Sequence, residues 1–333
     1  MVTVNGSMQT SVWEMLRHID PGSNVQTVVE TEECKILKAQ DSSGEGIMTM
    51  YQVFDGVYLM YNDFHMKECM SQFQSVETFL CIDHCREGRM EHMNEKGAFY
   101  METGDLRVDR RVHHEGYVRF PLCHYHGITI GFQTGIAEKA IKRAMPEFEV
   151  DFKGLAEKFC NEEKPFVIHK EPAVEHIFSE LYQVPAKVKK EYFKIKVMEL
   201  LIYLDALELS EHREERPYFF AGQIEKVKAI HELMTSDLTK SYTLEELSKR
   251  FDIALTSMKN CFKSVYGSPV NTYMRNYKMN YAASLLLSNP EMKVADIALL
   301  VGYDSPSKFS AAFHKTMKMT PLEYRKSQSV TSR

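Results

Sequence analysis

In the run PLCHYHGITIGF, Pro121 to Phe132, two histidines stand one residue apart. On an extended strand that spacing turns both imidazoles to one side, together with Leu122, Ile128, Ile130 and Phe132. An HxH pair can chelate a metal through both rings, and His84, Cys81 or Cys85 could add ligands. The same groups can instead line a pocket for a polar effector, or serve as hydrogen-bonded structural histidines. Arg110 shares the parity of Leu106, Val108 and Val112 in LRVDRRV, where a guanidinium suits a carboxylate or phosphate effector or a barrel rim. No second ordered ligand set accompanies the pair. His124, His126, Arg110 and His84 are therefore read as effector lining, with no metal, no cofactor and no catalytic group.

A second set of residues suits a polyanion. Thr256, Ser257, Lys259, Asn260 and Lys263 fall on one side of a helix whose other side is apolar, and Ser305, Ser307, Lys308, Ser310 and Lys315 do the same some fifty residues later. Small hydrogen-bonding side chains beside cations can read base edges in a major groove while anchoring to phosphates.

The charge distribution agrees. From Gly222 onward there are 16 Lys plus Arg against 10 Asp plus Glu, a net +6, while the rest of the 333-residue chain carries 25 against 36, a net −11. A basic segment on an acidic body points to nucleic acid. No apolar run approaches the roughly 18 residues that cross a bilayer, so the chain is expected to be cytoplasmic. Seven cysteines without a CxxC pair read as reduced thiols.

The elements that must hold these residues divide the chain. Residues 1–45 are unclear, with one short helix expected around Trp13, Met15, Leu16 and Ile19. Short apolar runs such as YQVFDGVYLMY, FLCIDHC and AFYMETGDLRV predict strands of a β-barrel sensor over 46–140, with METGDL as a turn. Helical patterns fill 141–212. The segment Lys187–Leu209 carries Val197, Met198, Leu200, Leu201, Ile202, Leu204 and Leu207, an apolar surface wide enough to bury two faces, one of them against a twin helix. The charged SEHREERP introduces a linker at 213–222, and a DNA-binding domain occupies 223–333.

That domain contains a repeat. TLEELSKRFDI matches KVADIALLVGY at an offset of 50, pairing Leu244 with Val294, Leu247 with Ile297 and Phe251 with Val301; beyond the corner, Met258, Phe262, Gly267 and Tyr273 match Phe309, Phe313, Lys318 and Tyr324 at 51. Each copy, 243–267 and 293–318, predicts a helix, a tight turn and a second helix, with YMRNYKMNYAASLLLSN as one connecting helix. Thr243 and Glu246 form a capping-box pattern, and Ser305 precedes Pro306 as a cap.

ADIALLVGYDSPSKFSAAFHKTMKMTPLEYR resembles the signature of the AraC/XylS transcription regulators over about the last hundred residues, Ile224 to Arg325. The resemblance implies two helix-turn-helix units on successive major-groove segments, about 34 Å apart. It also implies a cupin-like β-barrel with a helical dimerisation segment ahead of an all-α domain, a multidomain α+β chain. Three positions depart from the family pattern: Lys318 replaces a usual Gly, Ala311 a common Arg, and Ala254 the usual Ser cap.

The expected protein is a bacterial homodimeric activator that binds double-stranded DNA, contacts RNA polymerase, answers a small-molecule effector and is not an enzyme. The alternatives are a cupin-type metalloenzyme with a helical appendage and a regulator controlled by protein contact alone.

Overall fold

A computed structural model describes residues 24–94, 97–149, 151–160, 166–209 and 219–329. Among the described residues, 24–94 and 99–209 belong to one compact unit, and 97–98 with 219–329 to a second.

The first unit is a nine-stranded antiparallel sheet with helices. It runs β1 (Val25–Glu30), β2 (Cys34–Asp41), β3 (Gly44–Phe54), β4 (Val57–His65), β5 (Glu68–Asn94), β6 (Gly97–Glu102), β7 (Asp105–Arg119), β8 (Tyr125–Gln133), α1 (Thr134–Ala144), α2 (Phe152–Phe159), β9 (Phe166–His169), α3 (Pro172–Leu181) and α4 (Lys189–Ala206). In space the strands follow the order β1-β2-β3-β4-β8-β5-β7-β9, with β6 on β5. METGDL does turn the chain from β6 into β7, where Gly104 takes φ 85°, a conformation open to glycine because it has no Cβ.

The sheet curls because of β5. Arg119, at the end of β7, is the register partner of both Glu68 and Glu91, so the two ends of one 27-residue strand flank the same residue. The Arg119 side chain reaches both, with Nε 3.1 Å from Glu68 and Nη1 3.6 Å from Glu91. The result is an antiparallel half-barrel.

Helices cover one face. Val57, Leu59, Leu80, Ile82, Ile128, Ile130 and Phe132 pack there with Phe178 and Leu181 of α3 and Phe193, Val197, Leu200 and Leu204 of α4 in one buried core. Burying each such side chain contributes roughly 1.5–3 kcal/mol. The helices of 141–212 thus share a core with the strands of 46–140, and β9 joins the sheet. Two strands, β1 and β2, lie in the stretch whose sequence was unreadable; the expected helix around Trp13 and the SEHREERP segment lie outside the described residues.

The second unit is all helical: α5 (Ala221–Ser236), α6 (Leu244–Arg250), α7 (Leu255–Tyr266), α8 (Val270–Ser288), α9 (Val294–Leu300), α10 (Pro306–Met317) and α11 (Pro321–Ser329). Helix α5 begins at Ala221, inside the expected linker. The long α8 joins the copies, placing Met279, Ala282, Ala283 and Leu286 in a core with Ile297, Ala298, Val301, Phe309 and Phe313.

Candidate nucleic-acid interface

The two copies repeat atom for atom at their corners. In the first, Phe251 N–H donates to Leu247 O (3.1 Å), Asp252 N–H to Lys249 O (3.3 Å) and Ile253 N–H to Ser248 O (3.1 Å); in the second, fifty residues on, Val301, Gly302 and Tyr303 donate to Ile297, Leu299 and Ala298 at 3.2, 2.9 and 2.9 Å. Asp252 and Gly302 are the left-handed residues of these corners, at φ 46° and 76°. Closing a helix through a left-handed residue satisfies carbonyls that would otherwise lack partners. The chain then turns into α7 and α10, both 12 residues long.

Packing decides which side of α7 and α10 is free. Met258, Cys261, Phe262 and Val265 are buried on α7, and Phe309 and Phe313 on α10. Thr256, Lys259, Asn260 and Lys263 are exposed and Ser257 half-buried; on the second helix Ser307, Lys308 and Lys315 are exposed and Ser305 and Ser310 half-buried. Among the described residues, none of these four lysines has a carboxylate in salt-bridge range, in contrast to Lys226 and Lys240 of the same unit, which pair with Asp252 (3.6 Å) and Asp237 (3.2 Å). Each copy therefore presents unneutralised cations beside hydroxyls, and α7 adds a carboxamide.

The residues expected to line an effector pocket are not gathered in one place. His126 lies on β8, but His124 sits in the turn before it, behind Cys123 at φ 58°; their ring centroids are 6.3 Å apart. His84 is buried on β5, stacked on Phe178 at 4.3 Å, with Nδ1 3.4 Å from the Tyr182 hydroxyl. Burial pushes its pKa down to about 3. Arg110 is exposed, which corrects its inward placement: the parity holds at Leu106 and Val108, both fully buried, and ends there. Parity misleads because residues 105–109 of β7 are buried on both faces, so alternation there marks no single inward side.

On the face of β8 opposite its helix-packed side chains runs a buried polar ladder that no sequence motif announces. Asn62 Nδ2 donates to Thr129 Oγ1 (3.0 Å), Thr129 Oγ1 donates to Asp83 Oδ1 (2.7 Å), and Arg111 pairs with Asp83 and Asp109, the latter also paired with Arg107. The two guanidiniums hold the Asp109 carboxyl below its usual range against the opposing effect of burial. Only an alternation of Asp and Arg with apolar residues along 105–111 hinted at it.

Residues 247–327 match the family model described as a helix-turn-helix domain. The HTH-type transcriptional activator RhaR of Mannheimia succiniciproducens is 27% identical over 168 residues, covering 50% of this chain and 59% of that protein. The HTH-type transcriptional regulator ExsA of Pseudomonas aeruginosa is 30% identical over 99 residues, 30% of this chain and 35% of that one. The C-terminal domain is of the AraC/XylS type. A solved C-terminal domain of AraT from Geobacillus stearothermophilus is 28% identical, covering 31% of this chain and 84% of its own, with a TM-score of 0.29. The chain thus spans about three fifths or less of the length of these two curated relatives.

Two of the three departures within this AraC/XylS-type domain have structural readouts. Ala254 stands at the start of α7 and supplies no side-chain cap, whereas Ser305 accepts the Lys308 N–H at 3.4 Å. The capping box on α6 is complete, with Thr243 N–H donating to Glu246 Oε2 (2.8 Å) and Glu246 N–H to Thr243 Oγ1 (3.2 Å). Lys318 ends α10 in the left-handed region. Ala311 is exposed on α10 and offers a methyl group where an Arg could reach out.

Proposed function

We propose that this chain is a DNA-binding transcription activator in which α7 reads base edges and α10 chiefly holds phosphates. The observation that carries the reading is the pair of corners with matching hydrogen bonds, each setting an outward helix whose lysines have no carboxylate in salt-bridge range among the described residues. Helix α7 adds Asn260, which can bond an adenine edge bidentately, while α10 offers serines and lysines suited to backbone oxygens. The curated relatives named as activators support the direction of control.

Two further parts of the proposal concern the first unit. Along α4, Ile195 and Ile202 are 56% and 57% exposed and Met198 is half-buried between them. This apolar stripe at i, i+3, i+7 supports pairing of α4 with its copy in a homodimer. A small-molecule effector acting on the half-barrel would then shift how the dimer presents its DNA-binding domains to promoter and RNA polymerase.

The test is selection from random duplex DNA with the full chain at near-physiological salt. Enrichment of a site with two short elements about 10 base pairs apart is expected. Retention that depends on salt and enriches no sequence would overturn the base-reading role.

A further inference from the structure

Asp63 and His65 stand two residues apart on β4, and His126 is the register partner of Asp63 on β8. In sequence His126 stands beside His124 as an HxH pair; the fold instead turns it towards a DxH pair some sixty residues earlier. Nε2 of His65 lies 3.0 Å from Asp63 Oδ1 and Nε2 of His126 lies 3.3 Å from the same oxygen. The imidazoles meet edge to face, with centroids 5.1 Å apart, and the three donor atoms all fall within 4.8 Å of one another.

We propose that Asp63, His65 and His126 form a binding site for a divalent transition-metal ion of the zinc, nickel or cobalt class. In a tetrahedral site with arms of about 2.1 Å the donors are about 3.4 Å apart, and two of the three edges here already lie close to that. Two imidazoles and one carboxylate favour a borderline ion over calcium or magnesium, which take oxygen ligands. Three protein donors leave the remaining positions for water. The donors sit on paired strands, so little ordering is needed on binding. Asp63 and His65 are more than half exposed, which lets an ion enter without opening the sheet.

Neighbouring groups are compatible with this. His124 bonds Leu122 O through Nδ1 at 3.2 Å, and its ring is 6.3 Å from that of His126, outside the three-donor set. Glu45, the register partner of His65 on β3, is held by Lys38 at 2.7 Å. The HxH pair is therefore not itself the chelate.

The experiment is titration of the full chain with Co²⁺ and with Zn²⁺ at pH 7.5, followed by equilibrium dialysis and by the visible spectrum of bound cobalt. One ion per chain is expected, with ligand-field bands and no thiolate charge transfer, which separates the site from the free cysteines. His65→Ala, His126→Ala and Asp63→Asn should each weaken binding by about tenfold or more, whereas His124→Ala should leave it within about twofold. All three substitutions fall on exposed or half-exposed side chains, and circular dichroism checks that each variant stays folded. No stoichiometric binding, binding indifferent to the three substitutions, or a thiolate spectrum would each overturn the proposal.

Discussion

Gly267 and Lys318 occupy one structural position in the two copies, each the left-handed residue that ends an outward helix. Their φ angles are 79° and 61°, and each donates its N–H four residues back, to Lys263 O and His314 O. Glycine adopts this conformation freely; an L-residue with a Cβ bears about 1–2 kcal/mol of strain. Lys318→Gly is therefore expected to stabilise the helical unit by about 0.5–1 kcal/mol, once the larger unfolded-state entropy of glycine is subtracted. Urea denaturation of both proteins measures this, and a lower midpoint for the variant would contradict it.

The corner glycine should tolerate far less. Gly302 sits at φ 76°, and a Cβ there would lie 2.4 Å from Leu238 O and 2.9 Å from Lys278 Nζ. Gly302→Ala is expected to cost about 2 kcal/mol or more and to weaken DNA binding, because the corner aims α10. At the equivalent Asp252, where the strained residue is already non-glycine, Asp252→Gly should be neutral or stabilising. Thermal melts of the two variants compare them directly.

The division of labour between α7 and α10 predicts unlike losses. Lys259→Ala with Asn260→Ala should erase preference for the selected site while leaving weak, salt-sensitive binding. Lys308→Ala with Lys315→Ala should weaken binding to every sequence alike and flatten the salt dependence by about two counterions. Gel-shift titrations over a salt series, on selected and scrambled duplexes, distinguish the two outcomes.

If α4 pairs with its copy, Ile195→Glu with Ile202→Glu should halve the mass seen by sedimentation equilibrium without unfolding the chain, since both side chains are already exposed. An unchanged mass would place the dimer contact elsewhere.

His84 links stability to pH. Its pKa falls from an ordinary 6.5 to about 3 because burial opposes the charged ring, even with Glu175 Oε1 3.6 Å away. The unfolded chain therefore takes up a proton between those values that the native chain refuses. Its contribution is fully present above about pH 6.5 and is lost as pH falls towards 3. His84→Phe, which keeps the stack on Phe178, should flatten the decline in urea midpoint between pH 7 and pH 4.5; a slope equal to that of the parent would refute the assignment.

The helical unit was readable because its signals are local. Capping pairs, the corner residues and the inward Met258, Phe262, Phe309 and Phe313 all act within a few turns of chain, and duplication made each copy a check on the other. The half-barrel was readable only in part. β1 buries Val25 alone, so as an edge strand it carries no clean alternation, and β9 is four residues long. Parity failed at Arg110, the first exposed residue of β7, because residues 105–109 before it are buried on both sides and alternation there cannot choose a face. The Asp83–Arg111–Asp109 ladder and the Asp63–His126 approach depend on strand order, since β8 inserts between β4 and β5, which no short-range pattern reports.

The double pairing of Arg119 also bears on how quickly the molecule is made. Closing both ends of β5 around one residue requires contacts across roughly thirty to fifty positions of chain, and such closures slow folding. The helical unit depends on contacts between near neighbours in sequence. Although it follows the half-barrel in sequence, it should reach its native packing first, so that a refolding experiment would show an early rise in helical signal followed by a slower phase as the half-barrel closes.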